Sequence, residues 1–253
     1  MKVVCIGSGN VATHLANALK AKGVNLIQVW SRDLTNASEL AKTINAAAIS
    51  DLNELDRSAD IYIIAVKDDA IPTIVESLKD VNGLVAHTSG ATGIDTLSAY
   101  RNYGVLYPLQ TFSKAKPIDF ANVPLCIEAN NADSLELLKE VANKLSSPVY
   151  EVNSEKRKIL HLAAVFACNF VNHLYVLSDK VVEHFGLDFE MLKPLIMETA
   201  LKVQTELPTN VQTGPAVRND EQTMIKHQDL LNEMPELKEI YQILSKSIKK
   251  THL

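Results

Sequence analysis

The sequence predicts an α/β fold in which a doubly wound, mostly parallel sheet is followed by an all-α C-terminal domain. Up to about residue 153, short β-branched runs alternate with helical patterns, as expected for parallel strands joined by crossover helices. The run "ADIYIIAV" is almost continuously apolar, which is typical of a central parallel strand covered on both faces. From residue 154 onwards the β-rich runs cease. We therefore predict a first domain of residues 1–153 and a second of residues 154–253.

The first domain begins with a strand, a helix and a second strand. "KVVCIG" predicts the first strand, and the amphipathic pattern "NVATHLANALKAKG" predicts a helix that ends at Gly23. "NLIQVWS" and "NASELAKTI" predict the next strand and helix. Further strands are predicted at "ADIYIIAV", "GLVAHTSG", "YGVLYPLQ", "VPLCIEAN" and "SPVYEVN". Whether the later strands are antiparallel or lie at an edge of the sheet stays open.

The second domain is predicted to consist of helices only. Two long helical patterns cover residues 154–186 and 188–207, the first closed by Gly186 and the second followed by Pro208. After the loop "PTNVQTGPAVRND", two further helices are predicted at "DEQTMIKHQDLLNE" and "PELKEIYQILSKSIKK". The first long helix is apolar around much of its girth. We therefore expect it to be buried between neighbours, across a homodimer interface.

Composition limits the partners of this chain. Its 253 residues are 47% hydrophobic and 22% charged, which allows a sizeable core. The formal net charge of -5 argues against sequence-independent binding to nucleic acid or to anionic lipid, because both need a clustered positive surface. The expected partner is therefore a small molecule.

Cysteine usage and the apolar segments indicate a cytoplasmic protein without a membrane partner. Cys5, Cys126 and Cys168 lie in apolar runs without metal-ligand spacing, so we expect reduced core residues and no metal site. The opening "MKVVCIGSGN" has glycines where a signal peptide needs an unbroken apolar segment. The longest apolar region, "LAAVFACNFV", is interrupted by Asn169 and is too short to span a bilayer.

The stretch "CIGSGNVA" has the pattern of a dinucleotide-binding loop. Gly7, Gly9 and Ala12 match G-x-G-x-x-A between the first strand and the first helix, the context that makes this pattern specific. Gly7 allows a tight turn, Gly9 lets the backbone approach a pyrophosphate, and Ala12 lets the helix pack closely on the sheet. The free N–H groups of the helix N-terminus then face the phosphates. The predicted phosphate loop comprises Gly7, Ser8, Gly9, Asn10 and Val11.

The end of the second strand, "VWSRD", predicts the identity of the cofactor. An NAD enzyme carries an Asp or Glu close to this position, where it binds the ribose 2′-hydroxyl. Here Ser31 can hydrogen-bond a 2′-phosphate, and Arg32 can pair with it bidentately and stack on the adenine. The predicted cofactor is therefore NADP. Two alternatives remain open: Arg32 lies on a solvated face, or Asp33 turns inward to bind the ribose of NAD.

Two later strand ends are predicted to complete the cofactor crevice, because ligands bind at the C-terminal ends of parallel strands. In "AVKDDAI", Val66 would flank the adenine or ribose and Lys67 would face the cleft. In "HTSGAT", Thr88 and Ser89 would lie near the nicotinamide. His87 stands on an apolar strand and is either a hydrogen-bonded core histidine or a proton donor.

These motifs resemble those of a known superfamily. The N-terminal half is similar to the NADP-binding domain of the 6-phosphogluconate dehydrogenase-like superfamily, which includes β-hydroxyacid dehydrogenases, ketopantoate reductase and pyrroline-5-carboxylate reductase. The segments "HTSGA", "YPLQTF", "HLAAVFACNF" and "GPAVRNDEQTMIKH" more closely resemble the Rossmann-like oxidoreductases that carry the C-terminal domain of unknown function 2520. The resemblance covers nearly the whole chain and implies a Rossmann-like, NADP-dependent oxidoreductase.

The catalytic groups depart from the pattern of the better-known relatives. In relatives that use it, a lysine four residues before an asparagine orients and protonates the substrate oxygen. Placing Asn169 at that asparagine puts Val165 at the lysine position, and valine cannot stabilise or protonate an alkoxide. The remaining candidates are His161, Asn169 and His227. His161 and Asn169 are expected on roughly one face of the long helix, although Asn169 can also belong to a buried network.

Two further residues are candidates for substrate binding. Arg218 can hold a substrate carboxylate, with Asp220 beside it. The structural alternative is that Asp220 caps a helix and Arg218 forms a salt bridge.

Two functions of different classes follow. The first is an NADP-dependent oxidoreductase that reduces a small carbonyl or imine substrate by hydride transfer. The second is a non-catalytic dinucleotide-binding sensor or scaffold that retains the fold.

Overall fold

The computed structural model describes residues 1–78 and 80–252 and confirms the predicted fold class. Its eight-stranded sheet has the order β3-β2-β1-β4-β5-β6-β7-β8. All neighbouring strands are parallel except β6 and β7, which are antiparallel, and β8 lies at one edge. The strands are β1 (Lys2–Ile6), β2 (Asn25–Trp30), β3 (Ala47–Ile49), β4 (Ile61–Ile64), β5 (Leu84–His87), β6 (Tyr103–Pro108), β7 (Leu125–Ala129) and β8 (Val149–Glu151).

Helices cover both faces of the sheet, which accounts for the apolar composition of its central strands. In β1, Val3 and Cys5 belong to the core on one face, and Val4 and Ile6 belong to the core on the other. The first core also receives side chains from three helices, and the second receives side chains from one. These are α1 (Asn10–Ala21), α2 (Leu34–Ile44) and α4 (Ala132–Leu145) for the first core, and α3 (Ile71–Ser77) for the second.

The remaining helices follow the last strand. They are α5 (Ser154–Ala164), α6 (Val171–His184), α7 (Lys193–Thr205), α8 (Glu221–Leu230) and α9 (Pro235–His252), with a π-helical segment, Val165–Phe170, between α5 and α6. The helical region begins at residue 154, where the sequence predicts the domain boundary. The chain divides into two compact units, Met1–Asn169 and Phe170–Leu253. α5 therefore belongs with the sheet rather than with the later helices.

Many apolar side chains of the helical region are exposed in the single chain. α6 has no buried residue, and Phe166 and Phe170 are 62% and 50% exposed. Cys168 lies between them and is exposed too, so its prediction as a core residue is wrong, whereas Cys5 and Cys126 are buried. The apolar sequence around Cys168 predicts a buried surface, but residues 1–78 and 80–252 leave this surface exposed.

The helical run Ser154–His184 also qualifies the expectation about membranes. It has 31 residues, and its most apolar window of 18 residues has a mean hydropathy of 1.5 with no residue buried within the chain. The run is therefore long and apolar enough to cross a membrane by length and composition alone. The argument from the short segment "LAAVFACNFV" is wrong, because the apolar helix continues beyond it. Helices that are buried in soluble proteins meet the same two criteria.

Candidate functional site

A cleft opens at the carboxyl end of the sheet where the direction of winding reverses. β1 lies between β2 and β4, so the loops after β1 and β4 diverge and leave a crevice above the strand ends. The crevice has a volume of about 860 Å³. Among the predicted cofactor residues, its lining includes Gly7, Ser8, Gly9, Asn10, Val11, Ser31, Arg32, Val66 and Lys67. The sequence did not indicate five further lining residues, Trp30, Ala65, Asp69, Ala70 and Ile74.

Gly7 is required by the architecture of the crevice itself. Its φ is +130°, a conformation that side-chain-bearing residues rarely adopt. A Cβ atom at this position would lie 2.2 Å from the backbone oxygen of Ala65, which follows β4. The N–H of Gly7 donates a hydrogen bond of 2.8 Å to the oxygen of Trp30. Gly7 therefore lets the loop pass directly over the neighbouring strand.

No steric clash of this kind explains why position 9 is a glycine, and this indicates a ligand. Its φ is -75°, and apart from Gly9 and its two chain neighbours, no described residue has an atom within 4 Å of the position that a Cβ would take. Gly9 is the N-cap of α1, and no side chain caps this helix. Free N–H groups and the positive end of the helix dipole therefore face open space, an arrangement that binds phosphate. The residues present fit the pyrophosphate of a dinucleotide.

The end of β2 presents a hydroxyl and a cation to the crevice. Ser31 is buried, and its hydroxyl accepts a hydrogen bond of 2.9 Å from the hydroxyl of Ser8 in the glycine loop. Arg32 is exposed, lines the crevice and forms no hydrogen bond or salt bridge with the rest of residues 1–78 and 80–252. Its guanidinium is therefore available to a phosphate.

Asp33 is used by the protein itself. It is the N-cap of α2, and its carboxylate accepts a hydrogen bond of 2.8 Å from the N–H of Thr35. This geometry is that of a helix cap, because a short acidic side chain satisfies a free N–H group at the start of a helix. A carboxylate held in this way is not turned toward a ribose. The alternative of an NAD site built on Asp33 is therefore disfavoured.

Thr88 and Ser89 do not line the crevice, unlike the other predicted cofactor residues. Both are buried in the turn after β5. The Ser89 hydroxyl accepts hydrogen bonds from the N–H groups of Ala91 at 3.1 Å and Thr92 at 2.9 Å. This side chain therefore shapes the turn, and its assignment to cofactor binding stays a prediction.

His87 is a hydrogen-bonded core histidine. Its side chain is fully buried, and its Nδ1 accepts a hydrogen bond of 3.2 Å from the N–H of Ser89. Its Nε2 lies 3.4 Å from the oxygen of Gly93. Burial, together with the charge of Arg157, lowers the pKa of His87 to about 4. The ring is therefore neutral near pH 7, which argues against a role as proton donor.

His161 lies beside two residues that the sequence did not indicate as site residues. Its Nδ1 is 3.1 Å from the hydroxyl oxygen of Tyr107 in β6, and the two rings meet edge to face with centroids 6.0 Å apart. A Cβ at Gly90 would lie 2.8 Å from both rings. Tyr107 and Gly90 occur in the quoted segments "YPLQTF" and "HTSGA", but nothing in the sequence indicates that they meet.

A buried ion pair fixes α5 against the sheet below this group. Arg157 is completely buried and forms a salt bridge with Glu128 of β7. It also donates hydrogen bonds to the oxygen of Thr92 at 2.6 Å and to the hydroxyl of Ser154 at 3.1 Å. The contacts join α5 to β7 and to the turn after β5, so His161 stands on a helix whose position is set by two other elements.

The asparagine and valine at the predicted lysine motif lie in irregular helix. Val165–Phe170 is π-helical, so spacing rules for a regular α-helix do not apply between His161 and Asn169. Asn169 is exposed, and the suggestion that it is a buried, hydrogen-bonded residue is wrong. The expected common face of His161 and Asn169 rested on a regular helix and has no support here.

The candidates in the later helices have structural partners of their own. Asp220 caps α8 and accepts hydrogen bonds from the N–H of Thr223 at 3.1 Å and from its hydroxyl at 2.8 Å, and these bonds lower the pKa of Asp220. This is the helix-cap alternative. Arg218 is exposed, and no salt bridge from it occurs within the described residues. The Nδ1 of His227 lies 2.9 Å from the hydroxyl of Tyr241.

Comparison with known proteins identifies the family. A family model described as NADP oxidoreductase, coenzyme F420-dependent, matches residues 2–87, and the domain of unknown function DUF2520 matches residues 123–248. A provisionally assigned NADP oxidoreductase from Bacteroides fragilis is 41% identical, with a TM-score of 0.94 and coverage of 98% of each chain.

More distant structures share the fold. An imine reductase from Myxococcus stipitatus, solved with NADP⁺, is 17% identical, with a TM-score of 0.69 and coverage of 100% of this chain and 96% of that one. A pyrroline-5-carboxylate reductase from Coxiella burnetii is 19% identical, with a TM-score of 0.59 and coverage of 97% of each chain.

A curated relative matches only locally. Glutamyl-tRNA reductase from Idiomarina loihiensis is 42% identical over 64 residues, which are 24% of this chain and 15% of that protein. By contrast, the two family matches and the full-length similarity to the Bacteroides protein agree with the glycine loop and the crevice. The chain therefore belongs to the NADP oxidoreductases that combine a Rossmann-like coenzyme-binding domain with a C-terminal DUF2520 domain.

Proposed function

We propose that this protein reduces the C=O or C=N bond of a small substrate with NADPH. The observation that carries the proposal is Gly9, whose missing side chain leaves open space at an uncapped helix N-terminus. The names of two structures with this fold, an imine reductase and a pyrroline-5-carboxylate reductase, support a small substrate of this chemistry. The net charge of -5 supports a small molecule rather than nucleic acid as the partner.

In this proposal the residues of the crevice divide the work of holding the cofactor. The N–H groups from Ser8 to Val11 bind the pyrophosphate, while Ser31 and Arg32 bind the 2′-phosphate. Val66 and Lys67 flank the opposite wall. The bound reduced cofactor would supply a hydride to the substrate carbon.

We assign the proton donor to His161. His87 is buried and neutral near pH 7, and Val165 has no proton to give. His161 is partly exposed and lies above the carboxyl end of β5, at the same edge of the sheet as the crevice. Four other residues remain weaker candidates for substrate contact: Asn169, His227, Arg218 and Asp220. Two of them, Asp220 and His227, already bind side chains of their own region.

The experiment that tests the function is a turnover screen. The purified protein is incubated with NADPH and, separately, with keto acids, aldehydes and cyclic imines, and the loss of reduced nicotinamide absorbance is followed. Substrate-dependent oxidation of NADPH, with the reduced product identified by mass spectrometry, would support the proposal. Tight NADPH binding without oxidation across these substrate classes would favour the second candidate, a non-catalytic sensor or scaffold. This candidate is supported by Val165, which stands at the lysine position of the relatives and cannot protonate a substrate.

We further propose that the chain forms a homodimer through its helical region, from residue 154 onwards. Large apolar side chains in four helical segments are more than half exposed, and examples are Ile159, Phe166, Leu195 and Ile243. Monomeric proteins rarely expose apolar surface on this scale, and homodimer interfaces are apolar. A second copy of this chain carries the same surface, so a symmetric contact can cover both at once.

A further inference from the structure

The pair formed by Tyr107 and His161 lies along the same edge of the sheet as the cofactor crevice. Gly7 follows β1 and Gly90 follows β5, and only β4 lies between these two strands. Because neighbouring strands are about 4.8 Å apart, the carboxyl ends of β1 and β5 stand roughly 10 Å from one another along this edge. A dinucleotide that binds across the switch point extends along this edge of the sheet. The pair is therefore placed beyond the crevice, on the side toward which a bound dinucleotide would extend.

The two members of the pair differ in exposure. Tyr107 is 8% exposed, whereas His161 is partly exposed and carries a second nitrogen, Nε2, with no hydrogen-bond partner among the described residues. The Tyr107 hydroxyl lies 3.1 Å from Nδ1 of His161. One nitrogen of the ring is thus held by the protein, and the other is left to interact with a ligand.

Gly90 allows this arrangement. A side chain at Gly90 would collide with the imidazole of His161 and with the phenol ring of Tyr107, each at 2.8 Å. Its absence lets both rings pack directly on the end of β5. Arg157 ties α5 to β7 through Glu128 and to the turn after β5 through Thr92, so the position of His161 is supported by buried contacts.

Tyr107 is suited to hold a histidine that changes its protonation state. Burial raises the pKa of Tyr107 to about 12, so its hydroxyl keeps its proton at neutral pH. A hydroxyl both donates and accepts hydrogen bonds. It can therefore stay bonded to Nδ1 whether or not that nitrogen carries a proton.

We propose that Tyr107 is a positioning residue that holds His161 by Nδ1, so that Nε2 gives a proton to the substrate. The inference rests on the proposed reductase function. As the substrate carbon accepts a hydride, the π electrons of its C=O or C=N bond move to the heteroatom. That atom forms a bond to the Nε2 proton of protonated His161. The imidazole is left neutral with its remaining proton on Nδ1, where the Tyr107 oxygen accepts it, and water later restores the proton on Nε2.

The test compares Tyr107→Phe with Tyr100→Phe. Tyr100 is a matched control because its hydroxyl donates one hydrogen bond of 3.0 Å, to the oxygen of Val75, and burial raises its pKa to about 12 as well. The first readout needs no cofactor: the ¹⁵N NMR signals of the His161 ring, assigned by their loss in His161→Gln. We expect Tyr107→Phe to shift the Nδ1 signal of His161 and Tyr100→Phe to leave it in place.

The second readout separates chemistry from binding. We expect Tyr107→Phe to lower kcat about 10- to 100-fold, less than the loss of the general acid itself because Tyr107 acts only through His161, with KM and the Kd for NADPH changed less than threefold. His161→Gln should lower kcat at least as far.

Two results would overturn the inference: an unmoved His161 signal in Tyr107→Phe, or a loss of kcat no larger than that of Tyr100→Phe. The proposed function fails separately, and the proton-donor role with it, if the wild-type protein binds NADPH but oxidises it with none of the substrates.

Discussion

Gly7 and Gly9 stand two residues apart in one loop, yet different forces select glycine at each. Gly7 has a positive φ and lies against the backbone of Ala65, so the folded protein itself excludes a side chain. Gly9 has an ordinary φ and open space around it, so only something outside the chain would exclude a side chain. Folding therefore accounts for the missing Cβ atom at Gly7, and cofactor binding accounts for the missing Cβ atom at Gly9.

This difference predicts opposite outcomes for two alanine variants. Gly9→Ala should leave the free energy of unfolding unchanged or raise it by up to about 1 kcal/mol, because its conformation suits alanine. It should also weaken NADPH binding at least tenfold. Gly7→Ala should unfold the protein or destabilise it strongly, because of the clash and the positive φ. Urea denaturation and NADPH titration measure both effects, and a Gly9→Ala protein with wild-type NADPH affinity would contradict the site.

His87 makes the stability of the sheet unit depend on pH. Its pKa falls from 6.5 to about 4 on folding, so the unfolded chain binds the proton more readily. The stability that it contributes is complete above pH 6.5 and is lost as the pH falls toward 4. This loss amounts to about 3 kcal/mol. The difference in unfolding free energy between wild type and His87→Gln, measured by urea denaturation from pH 7 to 4, should shrink by this amount. A constant difference would show that His87 does not titrate as described.

At the scale of elements, the ends of α1 and α2 are treated differently. α1 has no side-chain cap and faces the crevice, whereas Asp33 caps α2. A protein that leaves one helix end without a cap while capping its neighbour retains donors for a ligand. In the free protein, no side chain therefore accepts a hydrogen bond from the N-terminal N–H groups of α1, whereas Asp33 accepts one from α2.

Substitution of Asp33 distinguishes a cap from a ribose ligand. Asp33→Ala should cost about 1 kcal/mol of unfolding free energy, and Asp33→Asn should be nearly neutral, because Asn caps helices as well as Asp does. Neither variant should change NADH affinity by more than about twofold. Denaturant unfolding and NADH titration provide the two measurements. A selective loss of NADH binding in Asp33→Asn would instead place this carboxylate on the ribose.

At the scale of the whole molecule, the exposed apolar side chains of the helical region determine the expected oligomeric state. We expect a dimer at micromolar concentration, because a homodimer interface of about 2,000 Å² or more can cover this apolar surface. The double variant Met191→Glu, Leu195→Glu should be monomeric, since these side chains are 68% and 63% exposed and lie four residues apart. Leu34→Glu, at a site 50% exposed in the sheet unit, is the control.

Light scattering coupled to size exclusion measures the mass of each variant. A monomeric wild type would refute the dimer, and recovery of the wild-type protein only with detergent or vesicles would point to a membrane.

The sequence predicts the features that depend on neighbours along the chain. The glycine loop, the strand end at Arg32 and the mostly parallel sheet follow from short motifs and from alternating patterns, whereas the short strand β3 and the strand order do not. The contact of Tyr107 with His161 joins residues 54 positions apart, so no local pattern can indicate it. The exposure of Cys168 was missed for a related reason, because an apolar sequence does not say which chain covers it.

The most direct test of the account is a side-by-side fluorescence titration of NADPH and NADH, with the wild-type protein and with Arg32→Ala. An arginine that binds a phosphate through charged hydrogen bonds contributes about 1.5–3 kcal/mol, or roughly 10- to 150-fold in affinity. We predict that the wild type binds NADPH at least tenfold more tightly than NADH, and that Arg32→Ala loses this preference while keeping its NADH affinity. Equal affinities in the wild type, or no binding of either cofactor, would contradict the assignment of the crevice.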